Sequence, residues 1–465
     1  MEAIFGFINA VTGWIWGIPI LVLLVGGGLI LTVVIGGIQF SRFGFIMKNT
    51  AGTMFDKEEQ ARKKALGVSP FQAVTAALGS TIGTGNIAGV GAAIATGGPG
   101  ALLWMWICGL VAMAIKFSEV TMSVRYRQKN PKGEGYLAGP FMYMRDGLHC
   151  KPLAYCFTFM SLLTLCTIGG VHSGAIADNL APVGVSRIIT CVVVVAIVVA
   201  VMLGGMKRLV NITDKMVPAM SALYVVCAVI IVGANIGRVG EALREIFIGA
   251  FTGQAAIGGF TGVAVASTIR FGLARGVFSN DAGLGLQATI HAQAAGIDHP
   301  AQQGMWAVFE TFFDTIVICS LTGFMIIFSG VWQTGEAGST LSSLAFESVL
   351  GSAGRYLCLF CLTLFAISSI ISNSQGLRIQ ATAATNSRLA VNVLLVIFVI
   401  MIIGGCLTDM ASVFVLTDFG NGIVIFLNVR SLILLSGELR RLTREWFGNN
   451  GDLKAIEAQR AAGEK

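Results

Sequence analysis

The sequence predicts an all-α membrane protein of about eleven spans: two five-helix repeats of opposite orientation behind one extra N-terminal span. Three observations carry this prediction. Of the 465 residues 55% are hydrophobic and only 12% charged, too little charge to cover a soluble protein of this size. Apolar runs of about 20 residues, long enough to cross a bilayer as a helix, recur along the chain. Glycine-interrupted runs, GSTIGTGNIAG at 79–89 and GQAAIGGFTG at 253–262, stand at corresponding places in the two halves.

Taken in order, the spans fall near 16–40, 70–96, 99–124, 153–180, 186–205 and 214–236, then near 245–269, 304–330, 353–376, 389–407 and 410–436. Setting the first aside leaves five per half, and an odd number turns the second half over. Residues 1–68 then hold the extra span and a charged loop, 69–237 the first repeat, 244–437 the inverted second repeat, and 438–465 an exposed charged tail. With the N-terminus outside and the C-terminus in the cytoplasm, 27 of the 31 Lys and Arg fall on the cytoplasmic side, as the positive-inside rule requires. Only Arg187, Arg238, Arg244 and Arg355 fall outside. This orientation suits a bacterial inner membrane. It also accounts for the net charge of +7 without a nucleic-acid partner. No basic region or cleavage site accompanies the first apolar run, so no removable signal is expected.

The ten Cys lie mostly inside apolar runs and read as small buried hydrophobes. Cys358 and Cys361 form a C-x-x-C inside a span with no partner ligands, and no zinc pattern occurs. No H-E-x-x-H or G-x-S-x-G is present, so no enzyme chemistry and no organic cofactor are expected. No repeated selectivity-filter sequence supports an ion channel, the alternative from another class.

The chemistry concentrates at Gly79–Gly89. A glycine cluster inside a span frees carbonyls and N–H groups from helical pairing, which is tolerable only around a cavity. There carbonyls can bind a cation, and the N-terminus of a half-helix can bind an anion. Thr84 adds a hydroxyl and Asn86 an amide. Close helix packing through small residues is the other reading of the same glycines.

Five blocks resemble the alanine/glycine:cation symporter family, the sodium:alanine symporters. They are GSTIGTGNIAGVGAAIATGGPGALLWMW at 79–106, GGMKRLVNITDKMVPAMSALY at 204–224, ARGVFSNDAGLGLQATIHAQA at 274–294, FETFFDTIVICSLTG at 309–323 and DFGNGIVIFLNV at 418–429. The third looks like the family's signature, with Asp281 where Glu is common. The resemblance implies the leucine-transporter-like five-plus-five inverted repeat. It further implies sodium as coupling ion, on the carbonyls of Gly79 and Ile82 and the hydroxyls of Ser368 and Ser369. Those serines can equally bond back to their own helix. The implied substrate, a small neutral amino acid such as alanine or glycine, lies beside Thr84, Gly85 and Asn86 and faces Gly258, Gly259 and Phe260. Helix breaks would bind both ends of a zwitterion without a fixed side-chain charge.

Two departures bear on the substrate. Where the family has a pattern like G-N-x-x-Q-A-N, this chain reads GGVHSGA at 169–175, with His172 and Ser173. Where the family has G-W-x-Y-Y-G-E, it reads SNSQGLR at 372–378, with Asn373 at the expected Trp. Losing an amide and an aromatic changes a pocket's size and polarity, so another small amino acid or zwitterion is an open alternative. Glu310 and Asp314, four apart in a span, share a helical face and are candidates for proton coupling or for a structural pair. Lys116 and Glu119, three apart, read as a local ion pair.

Overall fold

The helices form where apolar runs are bounded by caps. In the computed structural model, which describes residues 2–54, 56, 65–131, 133, 135–252, 261–385, 387–408 and 411–463, Ser69 caps the helix Pro70–Thr81 through a reciprocal box with Gln72. Proline at the first helical position costs nothing there, because its missing N–H would have had no partner. His299 caps Pro300–Thr311 with Gln302 in the same way. The fourth helix of each repeat opens on the same pair: Ser186 accepts from Ile189 N–H ahead of Arg187–Leu203, and Ser387 accepts from Ala390 N–H ahead of Arg388–Leu407.

Among the described residues eight helical stretches are long and apolar enough to cross a membrane, and Arg187–Leu203 is a shorter apolar one. The eight are fewer than the eleven expected partly because two spans are interrupted. The first divides into Pro70–Thr81 and Val90–Gly97, joined through a π-turn over Gly85–Gly89. The second divides into Thr261–Asn280 and Leu286–His291. The expected break at 253–262 lies almost wholly outside the described residues, and the interruption seen in this half is at 281–285, inside the signature block. Arg270 and Arg275 therefore stand within the helix Thr261–Asn280 and not in a loop.

The helix Arg388–Leu407 shows how the bundle packs. Val391, Leu395, Phe398 and Ile402 form one buried stripe, while Val393, Val396, Ile397 and Ile400 are exposed on another face. A helix apolar all round has one side for protein and one for lipid. Gly169 receives the Phe398 ring so closely that an added Cβ would stand 2.7 Å from it, which sets the approach to the helix Lys151–Leu180. The N-terminal span reaches the centre too, where Trp16 Nε1 donates to the carbonyl of Asp418 at 2.8 Å.

The tail is more ordered than its charge suggested. Ser436–Gly448 is a helix that buries Leu439, Leu442, Trp446 and Phe447, and Trp446 stacks on His299 at 5.2 Å. Arg125 pairs with Glu438 at 2.8 Å, and hydrogen bonds from Arg441 hold the Glu438 carboxyl below its usual range. Exposed Arg440 and Arg444 remain on the outer face of this helix.

Cysteine labelling tests this arrangement. In a background lacking Cys150 and Cys156, Asp298→Cys and Gly335→Cys are expected to label from opposite sides of the membrane. Arg275→Cys is expected to resist impermeant reagent. Same-side labelling of Asp298→Cys and Gly335→Cys would remove the span between them.

Candidate functional site

At the first break, Asn86 decides which backbone groups are left over. In a continuous helix the Gly79 carbonyl accepts from Gly83 N–H and the Ile82 carbonyl from Asn86 N–H. Here Gly83 N–H donates instead to Asn86 Oδ1 at 2.9 Å, and Asn86 N–H donates to the Gly83 carbonyl at 3.3 Å. Ile82, with φ −72° and ψ 89°, turns out of the helix. The carbonyls of Gly79 and Ile82 are thereby released from helical pairing, the two that the family resemblance implies for a cation.

The second break is built from left-handed backbone. Asp281, Gly283 and Gly285 have φ of 53°, 89° and 68°. Glycine adopts such angles without steric cost, and Asp is among the few other residues that tolerate them. Ala282 N–H is taken by Asn280 Oδ1 at 3.0 Å and Gly285 N–H by Glu119 at 3.0 Å. Asn428 donates to the Gly283 carbonyl at 2.9 Å and to Glu119 at 2.7 Å, and it accepts from Tyr143. Asn280 of the same helix and side chains from two other helices thus satisfy the interrupted backbone.

The two breaks touch. A Cβ on Gly85 would stand 3.1 Å from both the Phe278 carbonyl and Ser279 Cα. Gly85 is not among the left-handed glycines, so it is needed here for close approach and not for special backbone angles. Asn86 Nδ2 donates to Asp314 at 2.6 Å and to Ser279 at 3.0 Å, while Ser279 and Thr315 donate to Asp314 at 2.7 and 2.9 Å. Asp314 therefore ties both breaks to the π-turn Phe312–Ile318. The amide of Asn86 is spent inside the protein; this residue shapes the break more than it faces a ligand.

Between the breaks lies a cavity of about 10 Å³ measured to water centres, room for about one water molecule. Its walls include Ser80, Thr81, Gly83, Gly85, His172 and Asp281. Thr84 bonds His172 Nδ1 at 3.2 Å. Ser173 faces away, donating to the carbonyls of Ile402 and Gly170 at 2.8 and 3.0 Å. Asn373 accepts from Ser80 at 2.9 Å. Both serine hydroxyls bond the Phe365 carbonyl of their own helix, Ser368 at 2.8 Å and Ser369 at 3.1 Å, and Ser369 also reaches the Ser80 carbonyl at 3.2 Å. Gly258, Gly259 and Phe260 lie outside the described residues. A larger cavity of about 620 Å³ lies where Gln72, Lys129, Asn130, Tyr136, Asn211 and Gln293 meet.

Three residues at the site escaped sequence reasoning. Asp281 was visible only as a mild departure from the signature. Ser372 Oγ is buried with no hydrogen bond among the described residues, and an added Cβ on Gly79 would be 2.7 Å from it. Lys116 does not form the expected ion pair with Glu119. Both are fully buried, and Lys116 reaches across to Glu310 at 3.5 Å and to Gln287 at 3.2 Å, while Glu119 serves the second break. Glu310 also bonds His291 at 2.7 Å and accepts from Thr81 at 3.2 Å. Glu310 and Asp314 thus share a helical segment but belong to different networks.

A family model described as the sodium:alanine symporter family matches residues 1–459. The chain belongs to the sodium:alanine symporter family. This family member is 37% identical over 453 residues to the "Uncharacterized transporter YflA" of Bacillus subtilis, covering 96% of this chain and 94% of that one. It is 33% identical to the "Sodium/alanine symporter AgcS" of Methanococcus maripaludis, covering 92% and 94%. Against the "Probable sodium/glutamine symporter GlnT" of Bacillus subtilis the identity is 29%, covering 94% and 88%. Among solved structures, MhsT in complex with L-phenylalanine matches with a TM-score of 0.56 at 14% identity, covering 80% of this chain and 97% of that one. A manganese transporter of Eremococcus coleocola matches with a TM-score of 0.51 at 12% identity, covering 86% and 91%. The family member has the leucine-transporter-like fold and is a multi-pass membrane transporter, not an enzyme.

The contact between breaks makes a sharp test. Gly85→Leu is expected to abolish ligand binding and uptake while the protein still inserts, because its side chain would meet Phe278 and Ser279. Asn86→Ala is expected to weaken cation dependence as well as substrate binding, since Gly83 N–H could then return to Gly79. Uptake assays beside gel filtration in detergent separate these outcomes from misfolding. Normal uptake by Gly85→Leu would reduce the glycine run to a packing surface.

Proposed function

We propose that the chain is a secondary active transporter that carries a small neutral amino acid, such as alanine or glycine, together with sodium by alternating access. One observation carries this reading: two interrupted helices face each other across a small buried cavity, with released carbonyls beside serine hydroxyls. Sodium is a hard ion suited to all-oxygen ligands. The carbonyls of Gly79 and Ile82 with Ser369, and Ser368 after rotation, would hold it. The amino acid would lie beside Thr84 and Gly85, in the break that Asn86 holds open, and the cavity must widen to admit it. Two relatives, one named a sodium/alanine symporter and one a probable sodium/glutamine symporter, support both the ion and the solute class. We place the protein in a bacterial inner membrane, N-terminus outside and C-terminus cytoplasmic, following the loop charges.

A second reading, altered specificity, is favoured by His172 on the cavity wall and by Asn373 where the family has an aromatic residue. Proton coupling draws support from the buried Lys116–Glu310–His291 network. Uptake into proteoliposomes from an amino-acid panel, under imposed sodium and proton gradients, tests all of these. Saturable counterflow of labelled solute separates a carrier from a channel.

The cation site has its own test. Ser369→Ala is expected to lower apparent sodium affinity about tenfold, about 1.4 kcal/mol for one lost ligand. Ser368→Ala is expected to change it less, because both hydroxyls bond Phe365 but Ser369 alone of the two also reaches the Ser80 carbonyl of the first broken helix. Unchanged sodium dependence in the double variant would move the coupling ion elsewhere.

A further inference from the structure

The cavity between the breaks contains a carboxyl group that the zwitterion-and-backbone picture did not include. Asp281 opens the second break, 8% exposed, on the cavity wall with Ser80, Gly83, Gly85 and His172. Its backbone is held by Asp281 N–H donating to the Val277 carbonyl at 2.8 Å and by Leu284 N–H donating to the Asp281 carbonyl at 3.3 Å. Oδ2 accepts from Gln287 Nε2 at 2.5 Å, while Oδ1 accepts no hydrogen bond among the described residues. A buried carboxyl with an oxygen left over ionises only at a cost, and a cationic donor that completes it removes that cost.

The surroundings do not supply that donor. Lys116 is one residue removed: it donates to Gln287 Oε1 at 3.2 Å and pairs with Glu310 at 3.5 Å. Gln287 therefore stands between the ammonium and Asp281, oriented by both. Glu119, Glu310 and Asp314 are also fully buried nearby, so carboxylates outnumber the lysine. His172, on the cavity wall, is engaged with Thr84.

We infer that Asp281 receives the ammonium group of the transported amino acid. This rests on the amino-acid reading above and adds the group that recognises one end of the substrate. The carboxylate end would then lie toward the first break and the ammonium end toward the second, so one small zwitterion bridges both repeats. A carboxylic acid without an ammonium group would leave Asp281 unpaired and be rejected, because a site built around a buried polar partner discriminates strongly against an analogue that lacks it.

The test is equilibrium binding of labelled alanine to the purified full-length protein at saturating sodium, with Asp281→Asn, Asp281→Glu and unlabelled propionate as competitor. Sodium-induced thermal stabilisation without amino acid is measured alongside. Asp281→Asn is expected to lose alanine affinity about 30-fold or more, the loss of a charge-assisted bond, while its sodium shift persists. Asp281→Glu is expected to recover most of the affinity, and propionate to compete poorly. Alanine affinity within twofold of wild type in Asp281→Asn overturns the proposal. So does loss of the sodium shift with alanine affinity kept, which would make Asp281 a ligand of the coupling ion. If Asp281→Asn does not fold, wild-type protein still decides: propionate competing as well as alanine removes the assignment. Wild type that responds to sodium but binds no amino acid in the panel removes the functional reading itself, and the assignment with it.

Discussion

Everything at the centre of this molecule depends on one constraint: backbone polar groups freed inside a membrane span must find partners within the protein. Each unsatisfied buried group costs about 1–3 kcal/mol, and lipid offers no water to relieve it. Two helices are interrupted beside one another, and the structure meets the cost with side chains. Asn86 takes the Gly83 N–H at the first break, while Glu119 and Asn428 take Gly285 N–H and the Gly283 carbonyl at the second. The carbonyls of Gly79 and Ile82, whose helical donors bond elsewhere, are what a cation could use.

The partners of the two breaks are themselves joined. Asp314 accepts from Asn86 and from Ser279, so the first break and the end of the helix Thr261–Asn280 move with one carboxylate. Lys116 and Gln287 connect Glu310 to Asp281, and Thr81 connects Glu310 back to the first broken helix. Buried charges of this kind stabilise little in themselves, but breaking one partner away is expensive. They therefore favour particular arrangements of the breaks over intermediate ones. In an alternating-access cycle that is useful: the cation and solute sites proposed above share the same interrupted segments, so filling one would bias the geometry of the other.

Much of the architecture was legible in the sequence because it rests on local properties. Run length and hydropathy locate spans, and the glycine run at 79–89 marks a break. The expected break at 253–262 lies almost wholly outside the described residues. The interruption the structure shows in this half sits at 281–285, where Asp281, Gly283 and Gly285 take left-handed angles, a signal carried by the spacing of residues that tolerate such angles and not by glycine number.

Composition and motif determined by themselves that this chain crosses a membrane many times, that it belongs with sodium:alanine symporters, and that its first repeat opens on a broken helix. These follow from transfer free energy and from residue order along one segment. Only the tertiary structure decided which groups meet. Asn86 and Asp314 are separated by 228 residues, and Lys116 passes over Glu119, three positions away, to reach Glu310. Ser173 turned to Ile402 and His172 to the cavity, though they are neighbours in sequence. Such pairings are set by the packing of helices distant along the chain, where every buried donor and acceptor competes for partners at once, and no local pattern encodes the outcome.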